Sequence, residues 1–301
     1  MKNVLKVSMI LVLCLVIVFS VVGCTSSNNA PAGGNDTAKS TLQTVLDRGY
    51  LIVGTGSNNV PWHFKNDQGE YQGFDIEIAR ILAKALFDDE TKVEFVEQTS
   101  DSRIPNTLSN KVDVTIQFMT ISAERAQQVA FSIPYYTEGS ALMMSAKSPY
   151  KDYNDLVEAA KNGKKITISV LQNAFADDIV ATYLPDAVAE QFEEQAMVIQ
   201  AVNSGVVDAG IIDRSNLEWE IKQHPELYKD SGYYTYPQNY GIAMRPDDQV
   251  WINFVNTVIQ DAMTGANYEA YIKAYSNWFG MNDQLSAPTV GMPKLYRNNN
   301  N

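Results

Sequence analysis

Residues 117–136 read QFMTISAERAQQVAFSIPYY, and the rest of the chain is organised around them. Just upstream, Val112-Asp113-Val114-Thr115-Ile116 alternates between apolar and polar, the period-two pattern of a half-buried strand. It leads into Thr120-Ile121-Ser122, small hydroxyl residues expected at a helix entrance. Backbone N–H groups at such an entrance lack partners and favour an anion. Arg125 follows within a turn and adds a planar fork of donors matched to a carboxylate. Strand end, free amides, hydroxyls and arginine together describe a socket for a small carboxylate. The competing reading is a surface arginine paired with Glu124.

Upstream, residues 51–56 (LIVGTG) form an apolar strand running into a turn, and Asn66-Asp67-Gln68-Gly69 reads as a hairpin turn. Asp75 then opens a helix with Ile78, Ile81, Leu82, Ala85 and Leu86 on one face. A strand follows over 93–96. Thr99 to Ser102 offers several N-caps before Pro105, a residue suited to a first helical turn. Strand, helix, strand, helix, strand is the order of a parallel sheet covered by helices.

Downstream a second set begins. Strands are expected over 166–170, 188–192 and 209–212, with helices over 177–183 and 195–204. Asp213 stands at the carboxyl end of the last strand. Ligands of open α/β sheets bind just outside such ends, so this acid is placed to meet a cation. It could equally cap a helix over 215–222. An extended return segment spans 233–245, and helices over 248–263 and 267–279 close the domain.

The first 23 residues read as a targeting segment, with Lys2 and Lys6 before an apolar run at 7–22 that is short for a bilayer span. Val21-Val22-Gly23-Cys24 looks like a bacterial lipobox, so Cys24 is expected to be the first mature residue and to carry a lipid. Cys14 would be discarded, leaving no cysteine for a disulfide or thiolate chemistry. Residues 24–40, small and polar, are expected to be a flexible tether, and 283–301 a polar C-terminal tail. The chain has 35 acidic and 23 basic residues and a formal net charge of −12, which argues against nucleic acid or anionic lipid as partners. His63 and His224 lack metal-ligand spacing, and no cofactor, metal site or catalytic residue is expected.

The order and wording resemble the solute-binding proteins of amino-acid ABC transporters. The carrying phrases include Val53-Gly54-Thr55, Gly73-Phe74-Asp75-Ile76, Ile104-Pro105, Met119-Thr120-Ile121-Ser122, Glu124-Arg125, Pro134-Tyr135-Tyr136, Gly205-Val206-Val207-Asp208-Ala209 and Trp278-Phe279-Gly280. They recur in the family's order over about residues 45–280. The resemblance implies an α/β, two-lobe periplasmic-binding-protein fold of type II, each lobe a sheet flanked by helices, with two hinge crossovers. Lobe 1 would be 41–137 with 238–282, and lobe 2 would be 138–237. It further implies a monomer anchored outside the cytoplasm by the lipid on Cys24. That protein would capture a polar amino acid by hinge closure and hand it to an ABC permease.

Carried over by position, Arg125 and Thr120 would hold the ligand α-carboxylate. Phe118 falls where a backbone carbonyl meets the α-ammonium, and Asp213 where a carboxylate pairs with it. The chain also departs from the family pattern. Gly56 stands where many members have an acid, and Asn59 and Ser100 stand where aromatic walls are common. Asn173-Ala174 replaces a Gly-Thr pair, and Phe175 is expected to lie against the ligand. The phrase Thr99 to Pro105 is similar to that of the glutamate/aspartate-binding branch, in which Ser100 and Arg103 would reach a side-chain carboxylate. Asp101 could instead neutralise Arg103 on an exposed turn. An acidic or amide-bearing ligand is therefore expected. The alternatives are a cyclohexadienyl-dehydratase-like enzyme acting on a small carboxylate, or a ligand-sensing domain of the same fold.

Overall fold

The computed structural model describes residues 39–172 and 175–280, except for the side chains at 236 and 237. The targeting segment, Cys24, nearly all of the tether, Asn173 and the tail at 283–301 lie outside the described residues. An N-terminal helix α1 (Thr41–Arg48), capped by Ser40, leads into β1 (Leu51–Thr55). The short strands β2 (Asn58–Asn59), β3 (His63–Lys65) and β4 (Tyr71–Gln72) form a small antiparallel sheet, with the expected turn at 66–69 joining the last two.

Helix α2 (Phe74–Phe87) starts at Gly73, whose φ of 120° lies in the region that favours glycine. A Cβ there would also stand 2.2 Å from the Trp62 carbonyl oxygen, so no other residue fits without moving backbone. The helix buries Phe74, Ile76, Ile78, Ala79, Leu82 and Ala83; of the face expected from periodicity, Ile78 and Leu82 are buried, Ile81 and Leu86 are half-buried and Ala85 is exposed. Next come β5 (Val93–Glu97), α3 (Arg103–Leu108), β6 (Val114–Thr115), a single 3-10 turn (Arg125–Gln127) and β7 (Ala130–Phe131). The helix entrance expected after Thr120 is thus one turn only, because the chain re-enters a sheet at Ala130. Ser122 Oγ still accepts the Arg125 N–H at 3.2 Å, as a cap would.

β8 (Tyr136–Ser145) carries the chain to a second sheet, built with α4 (Tyr153–Lys161), β9 (Thr167–Leu171), α5 (Ala176–Tyr183), β10 (Val188–Phe192), α6 (Gln195–Ser204), β11 (Ala209–Asp213) and α7 (Arg214–Gln223). β12 (Tyr228–Tyr240) returns to the first sheet, followed by β13 (Ala243–Met244), α8 (Gln249–Thr264) and α9 (Tyr268–Phe279).

The first sheet has the order β5-β1-β6-β13-β7 and the second β10-β9-β11-β8-β12. In each, three parallel strands continue into antiparallel neighbours. The fold is therefore α/β with two lobes, and β8 and β12 are its two crossovers. They run side by side, Tyr136 opposite Tyr240 and Glu138 opposite Gln238. Beneath them Trp62, Phe74, Tyr135, Tyr240 and Tyr271 are fully or almost fully buried. Burial of each such ring contributes about 1.5–3 kcal/mol, so these rings stabilise the packing around the crossovers.

Candidate functional site

The cleft between the lobes has two chambers. The first is narrow, with about 430 Å³ of space between its lining atoms when the solvent at its mouth is included. Arg103, Phe118, Thr120 and Arg125 line it from the first lobe, and Phe175, Gln195 and Asp213 from the second. Tyr240 and Gln238 on the return crossover form its floor. The second chamber, about 660 Å³, is lined by Gly56, Asn59, His63, Ser100 and Gln117, and shares Phe118 and Gln195 with the first. The residues expected from sequence therefore come together, Asn173 aside because it lies outside the described residues.

Arg125 Nη1 donates to the Thr120 carbonyl at 2.8 Å, and its guanidinium lies 5.1 Å from the centroid of the Phe175 ring across the cleft. The Thr120 hydroxyl donates to Gln238 Oε1 at 2.8 Å, and Gln238 Nε2 donates to Ser140 Oγ at 2.5 Å. Hydrogen bonds thus run from the carboxylate socket into both crossovers. Arg103 is only 3% exposed, which excludes the reading of an exposed turn. Its Nε donates to the Ser100 carbonyl at 2.9 Å, and its guanidinium lies 5.8 Å from the Phe118 ring centroid. Burial, then the like charge of Arg125, pulls the Arg103 pKa down to about 9. Burial lowers that of Arg125 as well. Two desolvated guanidiniums thus line one wall of the chamber, where a further anion is favoured.

Phe118 has φ of 35°, unusual for a bulky residue. A fixed anion holds it there: Asp75, fully buried, accepts the Phe118 N–H at 2.9 Å, the Tyr135 hydroxyl at 2.7 Å and His63 Nδ1 at 2.8 Å. The Phe118 ring stacks on the His63 imidazole at 4.8 Å. The helix-opening acid seen in the sequence is therefore the support on which the cleft wall is built.

Asp213 ends β11 and stands at the N-cap position of α7, yet its side chain makes no capping hydrogen bond. It is 9% exposed, and Oδ2 has no hydrogen-bond partner among the described residues. Burial pushes its pKa up to about 7, while a hydrogen bond from Tyr240 and the charge of Arg103 hold it from rising further. Glu138, buried on β8, is raised well above the usual carboxylate range by burial and then by the charge of Asp213. The chamber thus sets two guanidiniums on one wall and, on the other, a carboxyl whose Oδ2 has no donor among the described residues. Such a chamber complements a zwitterion.

The lobes also meet directly. Trp62 Nε1 donates to Ser215 Oγ at 3.0 Å, and Asn216 Nδ2 donates to Asn59 Oδ1 at 2.7 Å. Gln172 Nε2 donates to Asp101 Oδ2 at 2.9 Å, so Asp101 serves the lobe contact. Sequence reading missed Ser140, Gln238, Tyr240 and Gln195, whose roles arise only when crossovers and second lobe fold onto the first.

Residues 51–281 match the family described as bacterial extracellular solute-binding proteins, family 3. The chain belongs to that family. A glutamine-binding protein of Geobacillus stearothermophilus is 32% identical over 234 residues, covering 74% of this chain and 87% of the relative. The ABC transporter glutamine-binding protein GlnH of Bacillus subtilis is 27% identical over 270 residues, covering 88% and 95%. Among solved structures, the ancestral amino acid-binding protein AncCDT-1, a precursor of cyclohexadienyl dehydratase, superposes with a TM-score of 0.70 at 32% identity, covering 80% of this chain and all of that one. An ancestral arginine-binding protein bound to glutamine gives 0.67 at 31% identity, covering 78% and 99%. As a family 3 solute-binding protein, the chain has the two-lobe, type II architecture of these neighbours. Among its described residues no helix is long and apolar enough to cross a membrane, and no group of His, Cys, Asp and Glu could hold a metal ion.

Proposed function

We propose that this chain captures a polar α-amino acid in the first chamber and delivers it to an ABC permease. Arg125, with Thr120 beside it and Arg103 behind it, takes the α-carboxylate, and Asp213 takes the α-ammonium. The observation that carries this reading is Asp213 Oδ2, buried and without a donor among the described residues, in one chamber with two desolvated guanidiniums. Each ligand charge then meets an opposite charge in a space that excludes water, where charge-assisted hydrogen bonds are strongest. Relatives whose names state glutamine binding, and a neighbouring structure bound to glutamine, support a polar ligand bearing an amide or an acid.

Ligand contacts in both lobes favour the closed arrangement, and the permease reads that closure. Lobe 1 comprises 41–137 and 238–282, lobe 2 comprises 138–237, and the protein acts as a monomer held at the membrane by a lipid on Cys24. Calorimetric titration of the twenty L-amino acids into the protein and into Arg125→Ala tests the assignment. A ligand that binds the first and not the second is expected; equal binding to both would contradict it.

A second reading has its own observation. A buried carboxyl with a pKa near neutrality is what a general acid requires, and Asp213 has one. Turnover of cyclohexadienyl dehydratase substrates by the protein would favour that enzyme-like reading over pure binding.

A further inference from the structure

The second chamber holds buried polar atoms that the amino-acid clamp does not use. Asn59 is 3% exposed, and Asn216 donates to its Oδ1, which turns its Nδ2 away from that bond; Nδ2 has no acceptor among the described residues. Gln195, on the first turn of α6 in the other lobe, is 5% exposed, and its Nε2 likewise has no acceptor among the described residues. The two sites are neighbours, because Asn58 Nδ2 and Glu194 Oε2, one residue before each, are hydrogen-bonded to one another across the cleft. Two buried amide donors from opposite lobes call for one acceptor between them, since an unmet buried donor is costly.

His63 supplies the complement. It stands opposite Asn59 in the β2–β3 ladder, so both side chains project from the same face. Its Nδ1 is hydrogen-bonded to Asp75 at 2.8 Å, and in the tautomer that places the proton on Nδ1, Nε2 is an acceptor. Nε2 makes no hydrogen bond to the described residues, and His63 lines the chamber. Gly56 permits this placement: a Cβ there would lie 2.6 Å from His63 Cδ2 and 2.8 Å from Nε2. The absent side chain thus leaves the space to the imidazole edge.

We propose that Asn59, His63 and Gln195 form a side-chain subsite that takes a primary carboxamide. The carboxamide oxygen accepts from Asn59 Nδ2 and Gln195 Nε2, and its NH₂ donates to His63 Nε2. The inference rests on the amino-acid reading of the first chamber. A side-chain carboxylate fits less well. Arg103 lines the first chamber beside Arg125, whereas the described lining of the second includes Glu97, Glu193 and Glu194 and neither lysine nor arginine. A carboxylate would also leave His63 Nε2 facing an acceptor.

The test is calorimetric titration of the mature protein with L-glutamine, L-glutamate and L-norvaline, which keeps the α-groups and lacks the carboxamide. L-Glutamine is expected to bind tighter than either by about tenfold or more, the scale of an unmet buried hydrogen bond. Gln195→Leu and His63→Leu should each cost L-glutamine about tenfold more affinity than they cost L-norvaline. Should His63→Leu fail to fold by thermal unfolding, Gln195→Leu decides. Tighter binding of L-glutamate than L-glutamine, or equal losses for L-glutamine and L-norvaline in Gln195→Leu, overturns the subsite while leaving the amino-acid clamp standing. Failure of every L-amino acid to bind overturns both.

Discussion

Asp213 makes ligand capture depend on pH, with a sign fixed by its surroundings. Its carboxyl has a pKa near 7 because burial disfavours the charged form, and the neighbouring charge of Asp75 adds to this. The Tyr240 hydroxyl and Arg103 oppose the rise, while Glu138, also buried and raised, faces it from β8. An ammonium ligand pairs only with the ionised carboxylate, so binding below pH 7 releases a proton. Affinity then falls by up to tenfold, or about 1.4 kcal/mol, for each pH unit below 7. At pH 5 the loss is about 100-fold relative to pH 8.

Isothermal titration with the best-binding amino acid between pH 5 and 8, in buffers of different ionisation enthalpy, reads both the slope and the proton released. Asp213→Asn should bind more weakly at pH 8 and show no slope between pH 5 and 7. A pH-independent affinity in the wild type, or an undiminished slope in Asp213→Asn, would refute the reasoning. The ligand-free protein carries the opposite trend. With its folded pKa raised above the unfolded value, Asp213 contributes stability that is complete below about pH 4 and is lost as pH rises to about 7. Ligand-free Asp213→Asn should therefore melt above the wild type at pH 8, with the difference closing toward pH 4.

Other changes probe other parts of the molecule. Arg125→Ala should cost about 2–5 kcal/mol of ligand affinity by titration while leaving the unfolding temperature nearly unchanged, because the guanidinium lines the cleft. Gly56→Ala should destabilise by about 1–3 kcal/mol in chemical denaturation. The added methyl meets an imidazole fixed between Asp75 and the Phe118 ring. Cys24→Ser should abolish partition into detergent micelles and leave ligand affinity unchanged, since the anchor precedes the tether.

Much of the architecture was legible in the sequence because it is local. The helix over 195–204 and the strand over 188–192 follow from periodicity and match the structure residue for residue. The two-residue strands at 58–59 and 130–131 were not legible, since so short a stretch is a strand only by virtue of its partner, whereas the strand read over 112–116 is present as 114–115. The turn at Arg125 looked like a helix start because hydroxyls and an arginine mark both a full helix and a single 3-10 turn. Asp213 could be named in advance because it ends a strand, where the topology itself places a ligand, and Arg125 because it follows hydroxyl residues in a phrase similar to the family's carboxylate socket. His63 and Gln195 could not. His63 lines the cleft only because a glycine seven residues earlier vacates the space and Asp75 fixes its ring, and Gln195 joins Asn59 in one chamber only across the cleft.

The central claim is that one chamber holds both charges of an α-amino acid. Its most direct test is titration of the best-binding L-amino acid alongside its N-acetyl derivative, which lacks the ammonium, and its α-amide, which lacks the carboxylate. The account predicts that each derivative loses about 2 kcal/mol or more of binding free energy, because each leaves a buried charge of the protein without its partner. Retention of wild-type affinity by either derivative would contradict it.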